Sequence, residues 1–310
     1  MKANCRRASL LIFSFILSLL IPVFSATAFE FPAAGWHRGD VSLAQENSRV
    51  AVLKALNSVN PHIEVDILDF VDKDGKRVGL VSHDYLMKRA TGQDGAFSVK
   101  YNDVAALPQN QANSKLQPEP FMTVIDLFEM IKKRKEQGVT PNVSLDMKDE
   151  GKNAEEFGKW VGKLIQQYDF QKHVFASSFY KSNAFAIKEA CPECLVGGLV
   201  FNDHFALKHL DYKYTSLDLT TLSELTYFMG FWGKEKFNHD FVLIQDDIFF
   251  KNPEIVDFWK KERGAKFVGV FVYSKETGYT KEEWELLKKL DWMELDPPQM
   301  NQYLEMKKGQ

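Results

Sequence analysis

The chain has 310 residues, 45% of them hydrophobic and 13% aromatic, so it is long enough to bury a large core. Its 39 lysines and arginines are nearly balanced by 42 aspartates and glutamates, which gives a formal net charge of −3 at pH 7. We see no basic stripe along the sequence, and we therefore exclude nucleic acid as a partner.

The first 28 residues have the pattern of a secretory signal peptide. Three basic residues precede an apolar run over 10–24, and residues 26–28 form a small-x-small cleavage pattern. A transmembrane anchor is the alternative, but the run is short for a bilayer span and contains a proline. We expect cleavage near Ala28 and export, either to the periplasm or out of the cell.

From residue 29 to residue 310, short β-rich runs alternate with amphipathic stretches, and no linker or internal repeat divides them. This α/β alternation predicts a parallel sheet, and eight strand–helix units can close it into a single (β/α)8 TIM barrel over 29–310. An open doubly wound sheet has the same alternation, but the count of eight favours the barrel. The predicted strands are Gly35–Gly39, His62–Phe70, Asn142–Lys148, His173–Phe179, Cys194–Phe201, Phe241–Asp246, Phe267–Tyr273 and Trp292–Asp296.

The stretches between these strands have helical periodicity. In one of them, four apolar residues recur at i, i+3, i+4 and i+7 and so share one helix face, namely Val124, Leu127, Phe128 and Ile131. The long polar and aromatic segment 202–240 is less regular, and it contains Phe228, Phe231 and Trp232. It predicts either a helical lid over the site or an enlarged surface helix.

Cys191 and Cys194 are the two cysteines that would remain after cleavage, and they have a C-P-E-C spacing. No second Cys or His pair completes a zinc site with them. The spacing therefore favours a small disulfide loop in an oxidising compartment over two free thiols.

Three acidic residues on the predicted strands are candidates for a metal site. Glu64 and Asp66 are separated by one residue, so their side chains point to the same side of the sheet. Two negative charges at such a short separation repel each other unless a cation or a proton lies between them. Mg²⁺ and Ca²⁺ prefer oxygen ligands such as carboxylates. Asp146 and Lys148 lie on one face at the end of the third strand, where Asp146 can complete the ligand set. The alternative is a solvated strand face.

Two histidines accompany these acids. His37 and Arg38 end the first predicted strand, while His83 and Asp84 follow a hairpin with a predicted turn at 74–75. Cleavage of a phosphodiester needs a base for the attacking hydroxyl, an acid for the leaving alkoxide, and positive charge near phosphorus. A histidine pair, a divalent metal, an arginine and a lysine supply these parts.

Several short motifs follow one another in a specific order along the chain. They are H-R-G at 37–39, E-N-S at 46–48, I-E-V-D at 63–66, D-G at 74–75 and H-D-Y-L-M-K-R-A-T-G at 83–92, with looser matches L-D-M-K at 145–148, S-S-F at 177–179 and L-D-P-P at 295–298. Together they resemble the signature of the glycerophosphodiester phosphodiesterases, which are barrels of the PLC-like phosphodiesterase type. The resemblance covers nearly the whole chain after the signal.

This resemblance implies an enzyme that cleaves glycerophosphodiesters to glycerol 3-phosphate and an alcohol with one divalent metal ion, Ca²⁺ or Mg²⁺. In such enzymes the glycerol hydroxyl of the substrate can be the nucleophile, giving a cyclic phosphate that water then opens. The matching positions are His37 and His83 for the acid/base pair, Glu64, Asp66 and Asp146 for the metal ligands, and Arg38 and Lys148 for the phosphate-binding groups.

Three features depart from the family pattern, one of which is the atypical content of the segment between Gly39 and Glu46. Asp146 stands where the family usually has Glu, and V-F-V-Y at 270–273 replaces an aromatic pattern of the W-T-V-N type. Two alternatives stay open, the first because of the aromatic residues around Phe228–Trp232 and the second because of these departures. One is a phospholipase D-like enzyme that acts on lysophospholipid or sphingolipid and contacts membrane lipid, and the other is a non-catalytic barrel that acts as a binding protein. A small-molecule phosphodiester is the favoured partner.

Overall fold

A computed structural model describes residues 33–97, 103–148, 152–200, 240–273 and 276–309. The predicted signal peptide and residues 202–239, where a lid or an enlarged helix is expected, lie outside these ranges. Both therefore stay predictions, as does the domain boundary at residue 29. Within the described ranges, no helix combines the length and the apolar character needed to cross a membrane.

Eight parallel strands in the described part of the chain form a closed barrel. Strand β1 (Ala33–Trp36) pairs with β2 (Ile63–Leu68) on one side and with β10 (Trp292–Leu295) on the other, so the sheet has no open ends around the barrel. The barrel prediction is confirmed, and the doubly wound alternative is wrong. The barrel strands are β1 (Ala33–Trp36), β2 (Ile63–Leu68), β5 (Val143–Met147), β6 (Val174–Ser178), β7 (Leu195–Val200), β8 (Phe241–Gln245), β9 (Phe267–Phe271) and β10 (Trp292–Leu295).

Two short antiparallel strands extend the sheet beside β2. Strand β3 (Leu80–Val81) pairs with β2, and β4 (Met122–Thr123) pairs with β3. The chain reaches β3 through a turn in which Gly75 has φ +73° and its N–H donates to the carbonyl of Asp72. The predicted hairpin turn is thus confirmed, and it carries the chain back toward the end of β2.

The helices surround the barrel in the described ranges. They are α1 (Arg49–Leu56), α2 (Met87–Thr91), α3 (Val124–Glu136), α4 (Lys152–Gln167), α5 (Lys181–Ala190), α6 (Asp246–Lys251), α7 (Ile255–Asp257), α8 (Lys281–Leu287) and α9 (Pro297–Lys308), with a 3₁₀ turn at Val104–Ala106 and a π-helical turn at Phe258–Glu262. Thr123 and Asp126 form a reciprocal capping box at the start of α3. The apolar face predicted for α3 is buried, which confirms its orientation toward the barrel.

Aromatic side chains fill the barrel interior near the amino ends of its strands. The rings of Phe241 and Phe267 stack with centroids 4.4 Å apart, and Phe175 meets Trp292 edge to face at 5.0 Å. Gly35 makes room for this cluster, because a Cβ at that position would lie 2.6 Å from the Trp292 ring. The filled interior leaves the carboxyl ends of the strands as the place for a site.

Cys191 and Cys194 form a disulfide between the end of α5 and the start of β7, with their Cα atoms 5.4 Å apart. Both side chains are buried. The predicted disulfide loop is therefore confirmed.

Candidate active site

The three predicted metal-binding acids meet inside the barrel at neighbouring strands. Glu64 and Asp66 alternate along β2 with apolar residues that face the helices, and parallel pairing places Asp66 directly beside Asp146 of β5. One carboxylate oxygen from each acid lies within 4.8 Å of the others, and all three side chains are buried. The sequence-based grouping of these acids is confirmed by this geometry.

The carboxylate cluster has the chemistry of a divalent-cation site. Burial raises the pKa of Glu64 well above its usual value, and the negative charges of Asp66, Glu294 and Asp146 raise it further. Oxygen Oδ1 of Asp146 is buried and accepts no hydrogen bond from any described residue. Buried, closely spaced carboxylate oxygens with a free acceptor suit Mg²⁺ or Ca²⁺, so the cluster can hold a metal ion.

Positive groups border the cluster on the side of Asp66. The Lys148 ammonium lies 2.9 Å from Asp66 Oδ1 and also contacts Asp146, while Arg38 Nε lies 3.1 Å from Asp66 Oδ2. The side-chain amide of Asn47 donates to Asp66 Oδ2 at 2.8 Å. Burial alone would raise the pKa of Asp66, but the charges of Lys148 and Arg38 outweigh it and hold the pKa well below its usual range.

Arg38 owes its position to an unusual backbone conformation directly after β1. Its φ is +58°, and the following Gly39 has φ +82°. This turn lets the Arg38 N–H donate to Glu64 Oε2 at 2.9 Å, while the guanidinium reaches Glu46 at the same distance. A Cβ on Gly39 would lie 2.8 Å from the backbone of Ala51, so glycine is required there.

His37 follows β1 and is held by the end of the last strand. Its N–H donates to the carbonyl of Leu295, and its ring Nδ1 lies 2.9 Å from Asp296 Oδ1. Because an ionised carboxylate only accepts hydrogen bonds, Nδ1 carries the proton and Nε2 is left as the free ring nitrogen. Nε2 lies 3.8 Å from Glu64 Oε2, which places it at the edge of the carboxylate cluster.

His83 lies two residues after β3 and has a similar carboxylate partner. Its Nδ1 is 2.6 Å from Asp84 Oδ1, and the other oxygen of Asp84 contacts Nε of Arg89 in α2. Burial would raise the pKa of Asp84, but the hydrogen bonds and charges of His83 and Arg89 lower it to about 2. An ionised Asp84 fixes the proton of His83 on Nδ1.

A cavity of about 560 Å³ brings the predicted residues together. Its described lining includes His37, Arg38, Glu64, His83, Asp146 and Lys148, with an aromatic and aliphatic wall of Tyr85, Phe179, Tyr180, Leu199, Phe271 and Tyr273. Asp66 does not line the cavity but contacts Arg38 and Lys148, which do. Six of the seven predicted site residues therefore line one cavity at the carboxyl ends of the strands, and the seventh, Asp66, contacts two of these six. Residues 270–273, which depart from the family pattern, supply part of the wall.

Sequence reasoning gave no role to several polar residues of this region. Asp84 and Asp296 orient the two histidines, and Glu294 is a fourth buried acid on the cavity. Burial raises the pKa of Glu294 to about 7. In the sequence, the L-D-P-P motif contains Asp296 and the H-D pair contains Asp84. Glu294 belongs to no motif, and only the alternation of side chains along β10 indicates that it faces the barrel interior.

Cleavage of a phosphodiester is the chemistry that these groups suit, since two histidines, a metal-binding cluster and fixed positive charge share one cavity. On a closed (β/α)8 barrel they define a protein of the class of barrel phosphodiesterases.

The chain belongs to the glycerophosphoryl diester phosphodiesterase family, whose model matches residues 37–225, more than half of the chain. This confirms the predicted family and the prediction of an enzyme, a glycerophosphodiester phosphodiesterase. The alternative of a barrel that only binds its ligand is set aside accordingly. A comparison with curated proteins gave no match.

Solved structures from several organisms have a similar fold. A glycerophosphodiester phosphodiesterase from Parabacteroides distasonis has a TM-score of 0.60 and 15% identity, over 90% of this chain and 98% of that one. Another from Agrobacterium tumefaciens has a TM-score of 0.56 and 17% identity, over 86% and 96%. A phosphodiesterase from Oleispira antarctica, in complex with the product sn-glycerol-3-phosphate, has a TM-score of 0.57 and 18% identity, over 88% and 96%. At these identities the similarity establishes the fold.

Proposed function

We propose that this enzyme hydrolyses glycerophosphodiesters to glycerol 3-phosphate and an alcohol, with a divalent metal ion and two histidines as the acid/base pair. The observation that carries the proposal is the shared cavity, which is lined by His37 and His83 together with Glu64 and Asp146 of the carboxylate cluster. The product bound to the Oleispira antarctica phosphodiesterase supports the same substrate class.

Glu64, Asp66 and Asp146 would hold the metal ion, and Arg38 and Lys148 would bind the phosphate. When bound, a Ca²⁺ or Mg²⁺ ion would supply positive charge to the phosphoryl oxygens. The Lys148 side chain is 14% exposed and lies between Asp66 and Asp146, and these acids raise the pKa of its ammonium although burial opposes this. Lys148 therefore keeps its proton and acts as a fixed positive charge.

The two histidines would divide the proton transfers. Because each Nδ1 faces a carboxylate, Nε2 of one neutral histidine takes the proton of the attacking hydroxyl, and Nε2 of the other, protonated, gives its proton to the leaving alkoxide. If the glycerol hydroxyl attacks, the phosphorus–alkoxide bond breaks and a cyclic phosphate forms. Water then opens the ring, with the histidines exchanging roles, and glycerol 3-phosphate leaves.

The first test measures release of glycerol 3-phosphate from glycerophosphocholine by the purified protein, with Ca²⁺, with Mg²⁺ and after chelation. We expect release with a metal ion and its loss on chelation. His37→Ala and His83→Ala should each lower kcat by about 10²–10⁴-fold, the usual contribution of a general acid or base. His173→Ala is the matched control, because His173 precedes β6 at the opposite end of the barrel. Metal-independent turnover, or full activity in either site variant, would contradict the proposal.

An enzyme that acts on lysophospholipid or sphingolipid is the second candidate. The cavity wall favours it, since Tyr180 and Tyr273 line the cavity and remain 36% and 60% exposed. Aromatic rings at a cavity mouth can accommodate an acyl chain. Cleavage of micellar lysophosphatidylcholine faster than glycerophosphocholine would favour this candidate, and the reverse preference would exclude it.

We also propose that the protein is exported. The basic, apolar and small-residue pattern of residues 1–28 supports this, and the Cys191–Cys194 disulfide is suited to an oxidising compartment. Cell fractionation with amino-terminal sequencing tests it. A mature protein that begins near Phe29 outside the cytoplasm is the expected result, and an intact Met1 in the cytosol would contradict it.

A further inference from the structure

A row of charged side chains connects the second histidine to the metal-binding cluster. Successive members are in contact along the whole row, which consists in order of His83, Asp84, Arg89, Glu46, Arg38 and Asp66. The two central members, Glu46 and Arg89, have no part in the function proposed above. Neither lines the cavity.

Each of these two residues contacts groups on both sides of it. Nε of Arg89 donates a hydrogen bond to Asp84. A terminal guanidinium nitrogen of Arg89 donates to Glu46 Oε1 at 2.5 Å. Glu46 uses its other oxygen, Oε2, to accept a hydrogen bond from the Arg38 guanidinium at 2.9 Å. The Glu46–Arg89 pair thus occupies the middle of the row with separate atoms for each neighbour.

The backbone around Glu46 is fixed by the rest of the fold. The Glu46 carbonyl accepts a hydrogen bond from the Asn110 side chain at 2.8 Å, and the Asn47 N–H donates to the Arg38 carbonyl at 3.0 Å. Arg89 belongs to α2, which packs outside the parallel barrel. The ion pair therefore joins two separate segments, one that follows β1 and one that follows β3.

The charges in the row are only partly accessible to water. The side chain of Glu46 is 21% exposed and that of Arg89 is 41% exposed. Burial would raise the pKa of Glu46, but the charges of Arg38 and Arg89 outweigh it and lower the pKa. Glu46 is consequently ionised at neutral pH, and its pairing is screened less than that of a fully exposed pair.

We propose that Glu46 and Arg89 are positioning residues for the phosphodiesterase reaction. Their ion pair holds the Arg38 guanidinium on one side and the Asp84–His83 pair on the other, so that the phosphate-binding group and an acid/base group keep a fixed relative position. The inference rests on the function proposed above.

The test compares Arg89→Ala, Glu46→Gln and the double variant with the unchanged enzyme in the glycerophosphocholine assay. We expect each single variant to lower kcat by about 10–100-fold, as loss of an orienting partner does, with a smaller change in KM. Because both residues act through one pair, the double variant should lose little more than the worse single variant. Added guanidinium ion should restore part of the activity of Arg89→Ala, whereas Arg89→Lys should stay impaired because lysine lacks the planar fork.

Arg49→Ala is the matched control. Arg49 is also half exposed and pairs with one carboxylate, Asp126 at 2.9 Å, but lies outside the row. It should keep normal kcat and show no response to guanidinium. Circular dichroism and the Tm of each variant check folding, and the isosteric Glu46→Gln carries the test if Arg89→Ala fails to fold.

Full turnover in Arg89→Ala or Glu46→Gln, or fully additive losses without rescue by guanidinium, would overturn the inference. These outcomes require that the unchanged enzyme is active. Absence of turnover in the unchanged enzyme would instead count against the proposed function, so the two failures are distinguished.

Discussion

Glu64 and Asp66 are separated by one residue, yet their acidities are shifted in opposite directions. Both are buried, but Asp66 contacts Lys148 and Arg38, whereas Glu64 has other acids around it and accepts one backbone hydrogen bond from Arg38. The pKa of Asp66 is therefore lowered and that of Glu64 is raised. Glu64 is the carboxylate whose ionised form most needs a cation.

Glu64→Gln tests this difference. In metal-free protein the variant should have a higher Tm than the unchanged protein, because a buried charge beside other acids disappears. Because the pKa of Glu64 is raised in the folded state, its contribution to stability is fully present below the unfolded-state pKa and is lost as pH rises through the folded-state pKa. The Tm advantage of Glu64→Gln should therefore grow with pH. Turnover should fall on the order of 100-fold or more with the loss of a metal ligand.

Thermal unfolding with and without Ca²⁺ or Mg²⁺ is the measurement. The metal should raise the Tm of the unchanged protein and have little effect on the variant. Glu155→Gln, which alters an exposed acid paired with Lys159, is the control and should behave like the unchanged protein. An equal metal-induced shift in Glu64→Gln would remove Glu64 from the ligand set.

At the site, the sequence was sufficient to predict the residues whose side-chain direction is set by the alternation along a strand. Alternation on β2 predicted that Glu64 and Asp66 face one way, and the order of the strands predicted that Asp146 joins them. The contacts of Glu46 with Arg38 and Arg89 could not be predicted in this way. They depend on how two irregular segments fold over the barrel rim, and irregular backbone has no period from which side-chain direction follows.

At the scale of the elements, seven of the eight predicted strands contain the observed ones with one to three extra residues, whereas the first, predicted at Gly35–Gly39, is observed two residues earlier at Ala33–Trp36. Buried apolar runs such as Phe241–Gln245 are recognisable because both faces of a barrel strand are covered. Strands β3 and β4 have two residues each, too few for any pattern, and were not predicted individually. Their pairing depends on the preceding hairpin and on β2.

Asp240 joins three elements through one carboxylate just before β8. It accepts the Val196 N–H of β7 at 3.0 Å and pairs with Lys188 of α5 at 2.7 Å and with Lys266, just before β9, at 2.5 Å. Burial would raise its pKa, but these partners outweigh burial and lower it. Sequence alternation predicts the strands, whereas such a connection between them depends on the packing of neighbouring strands and helices in the folded chain.

Asp240→Asn should lower the free energy of unfolding by about 1–3 kcal/mol at neutral pH, since both charge-assisted contacts weaken while the amide oxygen can still accept the N–H. Because the pKa of Asp240 is lowered in the folded state, its contribution to stability is present above the unfolded-state pKa and is lost as pH falls through the folded-state pKa. The stability difference between Asp240→Asn and the unchanged protein should therefore shrink in acid. Urea unfolding at a series of pH values measures it. The exposed pair Asp257–Lys261 supplies the control, because Asp257→Asn should change stability little. A deficit independent of pH would show that charge is not its cause.

At the scale of the whole molecule, the barrel is closed by contact between its first and last strands. Pairing of β1 with β10 brings Asp296 to His37, and pairing of β1 with β2 brings Glu64 to Arg38. The site thus exists only when closure is complete, since its groups come from both ends of the sequence. The disulfide lies elsewhere, between α5 and β7, and closes a loop that contains no residue of the cavity.

Removal of the disulfide should therefore separate stability from activity. A four-residue loop cross-linked by Cys191 and Cys194 gains about 2 kcal/mol from restriction of the unfolded chain in the loop-entropy model. The double variant Cys191→Ala and Cys194→Ala, and the reduced protein, should each unfold at a lower Tm than the oxidised protein but keep the same kcat and KM well below that temperature. Unfolding of the oxidised protein with and without reductant, compared with the variant in the same buffers, measures the effect. The variant is its own control, because reductant should not change its Tm. A fall in kcat without loss of stability would instead show that the disulfide maintains the geometry of the active site.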